Sequence, residues 1–320
     1  MSIRKALSIC FLIFIGTAAI GQLRNKKIFD YVSQAPASKN IDELVEYLEN
    51  GAFSKQELAE ALAYWMMLNI QYDIESFVNN TLQPSDWQTT FSSRKAVCSG
   101  YSELYKELCF RTGIWCQVIN GYAKGNGFVD DGIFERPNHA WNVIELNGVF
   151  HLMDITWASG YVNLEMGQWK YVKISRSKFL FVEPEKFIES HLPCQRRWQL
   201  LNQPITMKDF KQFKAFKKMN ESPTEYYHYE DSIAHYMDLS PVDKKIKNLQ
   251  EMMLVNPKDV DIPFHYERIA FILSKRIESE EELKKSKKFY QLAEELHREP
   301  LDKFRCKRGI EYVEFCLAKL

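Results

Sequence analysis

The chain has 320 residues, 46% of them hydrophobic and 26% charged, with 42 Lys and Arg balanced by 42 Asp and Glu. That much apolar mass can bury a core, so disordered, collagen-like and small disulfide-stapled classes are excluded. A net charge of zero, with no block of Lys or Arg, removes the electrostatic basis for binding nucleic acid or an anionic membrane.

Residues 1–21 differ from the rest: Arg4 and Lys5 precede an apolar run from Ala6 to Ile15, and Ala19-x-Gly21 offers small side chains before a cut. The pattern predicts a secretory signal peptide, a mature chain starting near Gln22, and a secreted, periplasmic or cell-envelope location with no integral membrane segment after cleavage. Six cysteines then remain: Cys98, Cys109, Cys116, Cys194, Cys306 and Cys316. They are few for the length, form no CxxC pair and fall largely on apolar faces, which argues for small buried thiols rather than a disulfide or zinc framework.

Leu44, Val45 and Leu48 recur at helix spacing up to Gly51, and Ser54 with Glu57 signals a capped start for a second helix through Leu58, Leu62, Trp65 and Ile70. Pro84 and Ser92-Ser93 predict a loop ending at Cys98. Tyr101, Leu104, Tyr105, Leu108 and Cys109 then form one helical face closed by Gly113, which puts Cys98 at a helix N-terminus. Ile114 to Tyr122 reads as a strand, Gly125 to Gly132 as a loop, and Asn147-Gly148 between alternating runs as a hairpin turn. Trp169 to Ile174 and Phe179 to Val182 read as further strands. After Pro204 the sequence turns helical, with starts at Ser240-Pro241 and Ser279-x-x-Glu282 and a stop at Asn256-Pro257. The expected units are 1–21, 22–205 and 206–320.

Pairing Leu146 with Val149 across the turn sets Ile144 opposite His151, Trp141 opposite Asp154 and His139 opposite Thr156. His139 and Asp154 then share a face as diagonal neighbours, about 7 to 8 Å apart, while His151 faces the other way. A carboxylate orienting an imidazole, with a cysteine at a helix N-terminus, is a set suited to thiolate chemistry. Gly100 is read as clearing space for a substrate backbone.

Lys95-Ala-Val-Cys98-Ser-Gly-Tyr101, His139-Ala-Trp-Asn142 and Asp154-Ile-Thr-Trp157 resemble the cysteine, histidine and aspartate segments of the transglutaminase-like superfamily, in that order, over roughly Ala61 to Pro204. Phe181-Val-Glu-Pro184, Phe187-Ile188 and Trp198-Gln-Leu-Leu201 further resemble its kyphoscoliosis peptidase-type branch. The resemblance implies an α+β, papain-like core of a helical lobe plus an antiparallel sheet, followed here by an all-helical C-terminal region. It also implies catalysis by Cys98, His139 and Asp154 without cofactor or metal. The family commonly has a Pro after the Asp, where this chain has Ile155. The oxyanion site would include the Cys98 N–H, with Gln71 or Trp87 as candidate side-chain donors. The expected function is a thiol protease or hydrolase acting on a protein or peptide substrate through a thioester, with an amine-acceptor transglutaminase sharing the intermediate. The alternative is a non-catalytic exported scaffold whose helical region binds a protein partner.

Overall fold

The computed structural model describes residues 24–51, 53–79, 81, 86–125, 134–212 and 226–320. The signal-peptide segment, Pro84 and most of the Gly125–Gly132 loop lie outside the described residues.

Helices Lys26–Val32 (α1), Ile41–Glu49 (α2) and Lys55–Asn69 (α3) open the fold. The Ser54 hydroxyl and Glu57 carboxylate close the expected capping box at the start of α3. Two-residue strands Gln71–Tyr72 (β1) and Lys95–Ala96 (β2) pair in parallel, enclosing helices Ile74–Asn79 (α4) and Trp87–Ser93 (α5). Helix α5 replaces the loop expected before Cys98. Asp86 caps it by accepting the Thr89 N–H, and Phe91 anchors it by stacking on Trp65 at 5.7 Å between centroids. Helix Cys98–Arg111 (α6) begins at the cysteine, as its apolar spacing predicts.

Strands Trp115–Ala123 (β3), His139–Leu146 (β4) and Val149–Met153 (β5) form an antiparallel meander. Asn147 and Gly148 both adopt positive φ, as a two-residue hairpin turn requires, and Leu146 pairs with Val149 and Ile144 with His151. The ladder stops at Asn142 opposite Met153, so Trp141–Asp154 and His139–Thr156 do not pair. The chain instead enters helix Ile155–Ser159 (α7), whose first turn Asp154 caps by accepting the Trp157 N–H at 2.9 Å. A second hairpin, Gly160–Glu165 (β6) with Gln168–Lys173 (β7), follows. Phe179–Val182 supplies only one bridge, Val182 to Leu152, and not a strand. After helix Pro184–Phe187 (α8), strand His191–Pro193 (β8) joins the edge of β3 to complete the order β5-β4-β3-β8.

Side chains alternate across β4. Ile144 and Leu146 join the core built by α3 and α6, whereas Trp141 and Val143 pack with Leu152, Phe187 and Trp198 on the other face. The C-terminal helices Met207–Gln212 (α9), Tyr229–Asp238 (α10), Pro241–Val255 (α11), Ile262–Leu273 (α12), Glu280–Leu296 (α13) and Pro300–Leu317 (α14) complete an α+β molecule with the helical C-terminal region expected. Ser240 and Ser279 cap α11 and α13. Buried side chains run without interruption from the sheet into these helices, joining Tyr122, Leu192 and Cys194 to Leu249, Met252 and Ile269. Tyr229 and Tyr236 belong to the packing on Trp198, whereas Tyr226 is exposed.

One buried ion pair spans this junction. Arg197, fully buried, meets Glu251 of α11 at 2.8 Å and lies 3.7 Å above the Tyr236 ring. Removing one partner would strand the other charge in the core. Arg197→Met is expected to lower unfolding free energy by about 3 kcal/mol in urea titration, and a double Arg197→Met, Glu251→Met replacement to recover most of the loss. A single replacement without effect would show that the pair does not secure the junction.

Candidate active site

Three elements end at one point. Helix α6 starts there with Cys98, β4 starts there with His139, and Asp154 stands where β5 passes into α7. The His139 Nε2 lies 2.8 Å from Asp154 Oδ2, and its imidazole stands near enough to Cys98 to act on the thiol. The three expected residues are therefore brought together, although Asp154 arrives as a helix cap and not as a paired strand residue. His151, opposite Ile144, packs against Phe181 instead.

Burial alone would raise the Cys98 thiol, but the hydrogen bond and charge of His139, with the Ala140 backbone N–H, hold it below the usual thiol range. Burial likewise opposes charge on His139, yet Asp154 and Cys98 push its pKa up to about 10. Burial would raise Asp154 as well, and His139 and His191 together hold it well below the usual carboxylate range. Each of the three groups is thus held nearer its charged form than burial alone would allow. The stability that His139 contributes is complete below its unfolded value of about 6.5 and is lost as pH rises through about 10. That of Asp154 is present above about 3.9 and is lost on acidification.

His191 is a member of the site that the motifs do not mark. It is fully buried, and its Nε2 lies 3.0 Å from the same Asp154 Oδ2 that receives His139. An isolated histidine in a three-residue strand, 37 positions from its partner, carries no sequence signal. Tyr72 is equally unmarked. Its phenol lines the cleft and is raised by burial and by the nearby Cys98 and Asp154 charges, so it stays a neutral O–H donor. Its neighbour Gln71 is exposed on β1, where the alternate residue points away. Trp87 lies under Arg111 at the far end of α6, roughly 20 Å of helix from Cys98, and is no oxyanion donor. Gly100 has a packing role: an added Cβ would meet Thr90 Oγ1 at 2.6 Å and Ala96 Cβ at 2.7 Å, so glycine lets α6 close on α5 and β2.

A cleft of about 780 Å³ opens beside His139, walled by Tyr72, Trp157, Tyr171, Phe179 and Arg176. That volume suits a small ligand or a short stretch of chain. Thr156, in α7, lines it too.

Two groups of described residues bring three potential metal ligands within 4.8 Å of one another. In His139, Asp154 and His191 both ring nitrogens stand 2.8 and 3.0 Å from one oxygen, the spacing of N–H donation. Zinc ligands in a tetrahedral site would stand about 3.3 Å apart. In Glu267, His297 and Cys306 the carboxylate is already forked by Arg305 at 2.9 and 3.1 Å, so its counter-cation is a guanidinium. The first donor set fits the hydrogen bonds it makes better than a metal.

All six cysteines from Cys98 onward are free thiols. Cys194 is buried where the sheet meets the C-terminal helices, and burial raises its thiol. Burial also raises Cys109, and Cys306 to about 12. Cys316 is half-exposed, and Phe304 and Phe315 near it are exposed. At about pH 6 a limiting alkylating agent is expected to modify Cys98 before Cys316, with His139→Ala slowing Cys98 on the order of tenfold or more. Site mapping by mass spectrometry reads this directly, and equal labelling of Cys98 and Cys316 in the native chain would contradict the ion pair.

Residues 42–159 match the family profile of the transglutaminase-like superfamily. Kyphoscoliosis peptidase of Homo sapiens is 32% identical over 186 residues, covering 58% of this chain and 28% of that protein. Hillarin of Drosophila melanogaster is 30% identical over 120 residues, covering 34% of this chain and 15% of that protein. A solved TGase structure shares 20% identity over 41% of this chain and 33% of that one, with a TM-score of 0.30. The chain thus spans little more than a quarter of the length of kyphoscoliosis peptidase. The matched segment runs from α2 to the end of α7 and holds Cys98, His139 and Asp154. Residues 42–159 therefore form a transglutaminase-like core, related in sequence to kyphoscoliosis peptidase.

Proposed function

We propose that this chain is a cysteine-dependent acyl hydrolase in which Cys98 attacks a peptide or carboxamide carbonyl. One observation carries the reading: His139 lines an aromatic cleft, bonds the Asp154 carboxylate at 2.8 Å, and stands near enough to Cys98 at the start of α6 to lower its thiol. The thiolate adds to the carbonyl carbon. The developing oxyanion is met by the Cys98 N–H in the unpaired first turn of α6 and by the Tyr72 O–H. The His139 imidazolium passes its proton to the leaving amine, the C–N bond breaks, and a thioester remains. His139, now neutral, takes a proton from water as it attacks, and the thiolate returns with release of the carboxylic acid. Asp154 holds the ring in place and balances its charge throughout. The name peptidase borne by the human relative agrees with this substrate class. No step calls for a cofactor.

Incubation of the full chain with a peptide library, followed by mass spectrometry, is expected to trap an acyl group on Cys98. Asp154→Asn should reduce turnover on the order of a thousandfold or more. Release as free acid supports hydrolysis. Release only when an amine is supplied would make the chain a transferase, and a Cys98 that acquires no acyl group would favour a scaffold whose C-terminal helices hold a protein partner.

The proposed reaction would take place outside the cytoplasm, since residues 1–21 read as a signal peptide. N-terminal sequencing of the protein from its native host is expected to begin at or near Gln22. A start at Met1 with the apolar segment retained would contradict export by cleavage.

A further inference from the structure

We infer that His191 is a positioning residue for the proposed reaction, its Nε2–H fixing the Asp154 oxygen that receives His139. This inference rests on the reading of Cys98, His139 and Asp154 as a catalytic line and extends it to a fourth residue, on another strand.

Asp154 is fully buried and its carboxylate accepts three N–H groups: Trp157 at 2.9 Å on Oδ1, and His139 at 2.8 Å and His191 at 3.0 Å on Oδ2. At that burial, bulk solvent does not replace a lost donor. Since the carboxylate only accepts, His191 must present a protonated Nε2, which leaves Nδ1 to accept the Ser190 hydroxyl at 2.8 Å. Burial lowers His191 from its ordinary value, which keeps it the neutral donor and leaves the charge on His139. The ring is clamped, stacked on Phe187 at 4.0 Å between centroids and 17° between planes, with Trp157 at 4.4 Å on another side. Its backbone lies on β8, paired with Ala123 of β3, while the next residue, Leu192, joins the core shared with the C-terminal helices. Asp154 cannot turn its oxygens without breaking a bond to a ring that cannot follow. The ionisable groups that feel the Asp154 charge are His139, His191, Cys98, Tyr72 and Arg176. Among them the two histidines alone hydrogen-bond its carboxylate.

Two substitutions separate packing from donation. His191→Phe keeps a flat ring against Phe187 but removes the N–H, and His191→Gln places an amide N–H near the position of Nε2. The readout is the pH dependence of Cys98 alkylation in the full chain by iodoacetamide. With the N–H lost, Asp154 no longer holds His139 in line, so the acid limb of Cys98 reactivity should move up by about one pH unit, a tenfold loss of rate on that limb. In His191→Gln most of the rate should return. A purely structural role would lower the melting temperature of both variants and leave the limb in place, and that result would overturn the inference. Should His191→Phe fail to fold, ¹⁵N spectra of the native chain decide: a neutral His191 protonated on Nε2 supports the inference, whereas a ring protonated on Nδ1 alone overturns it. The underlying reading fails separately, if native Cys98 shows no reactivity below the range of an ordinary thiol.

Discussion

The site depends on one buried negative charge. A carboxylate removed from water carries a penalty of several kcal/mol unless charge and hydrogen bonds compensate it. Asp154 receives three N–H donors and faces a histidine that carries positive charge. The compensation is mutual, because the imidazole that helps keep Asp154 ionised also lowers the Cys98 thiol. Each of the three groups would be driven toward neutrality by burial if it stood alone. Together they hold one another charged, so the site is an electrostatic unit before it is a set of catalytic roles.

The fold serves this unit by making elements end at the same place. Helix α6 begins at the cysteine, β4 begins at the histidine, and β5 gives way to α7 at the aspartate. Strand β8 delivers His191 and, on its opposite face, Leu192 to the core shared with the C-terminal helices. The helical region is thereby tied to the sheet through continuous apolar packing, through Arg197 with Glu251, and through Asn256, which donates to the Tyr122 hydroxyl at 3.1 Å. Stability of the C-terminal helices and placement of the candidate site are mechanically connected through β8.

Much of this architecture is legible in the sequence wherever local chemistry carries the signal. The Ser54–Glu57 box, the Asn147-Gly148 turn and the apolar face from Tyr101 to Cys109 each depend on a few adjacent residues, and each folds as its pattern implies. The hairpin pattern misleads beyond Met153, because Ile155 and Trp157 continue the apolar alternation while Asp154 caps a helix with the same carboxylate that holds His139. The expected contact between His139 and Asp154 forms all the same, by a different backbone route. Gly100 serves packing rather than substrate approach because its crowding comes from Thr90 and Ala96, which no local pattern sets beside it. His191 and Tyr72 depend on long-range placement, and a single sequence contains no periodicity that marks them.

The central claim is that the native chain holds Cys98 as a thiolate paired with a protonated His139. Ultraviolet thiolate absorbance, taken as the difference between the native chain and Cys98→Ser across a pH titration, measures that state without substrate or label. A thiolate already formed at about pH 6 to 7, lost in His139→Ala and weakened in Asp154→Asn, is the result the account predicts. A Cys98 that titrates near the ordinary thiol value of about 8.5, unmoved by either substitution, would contradict it.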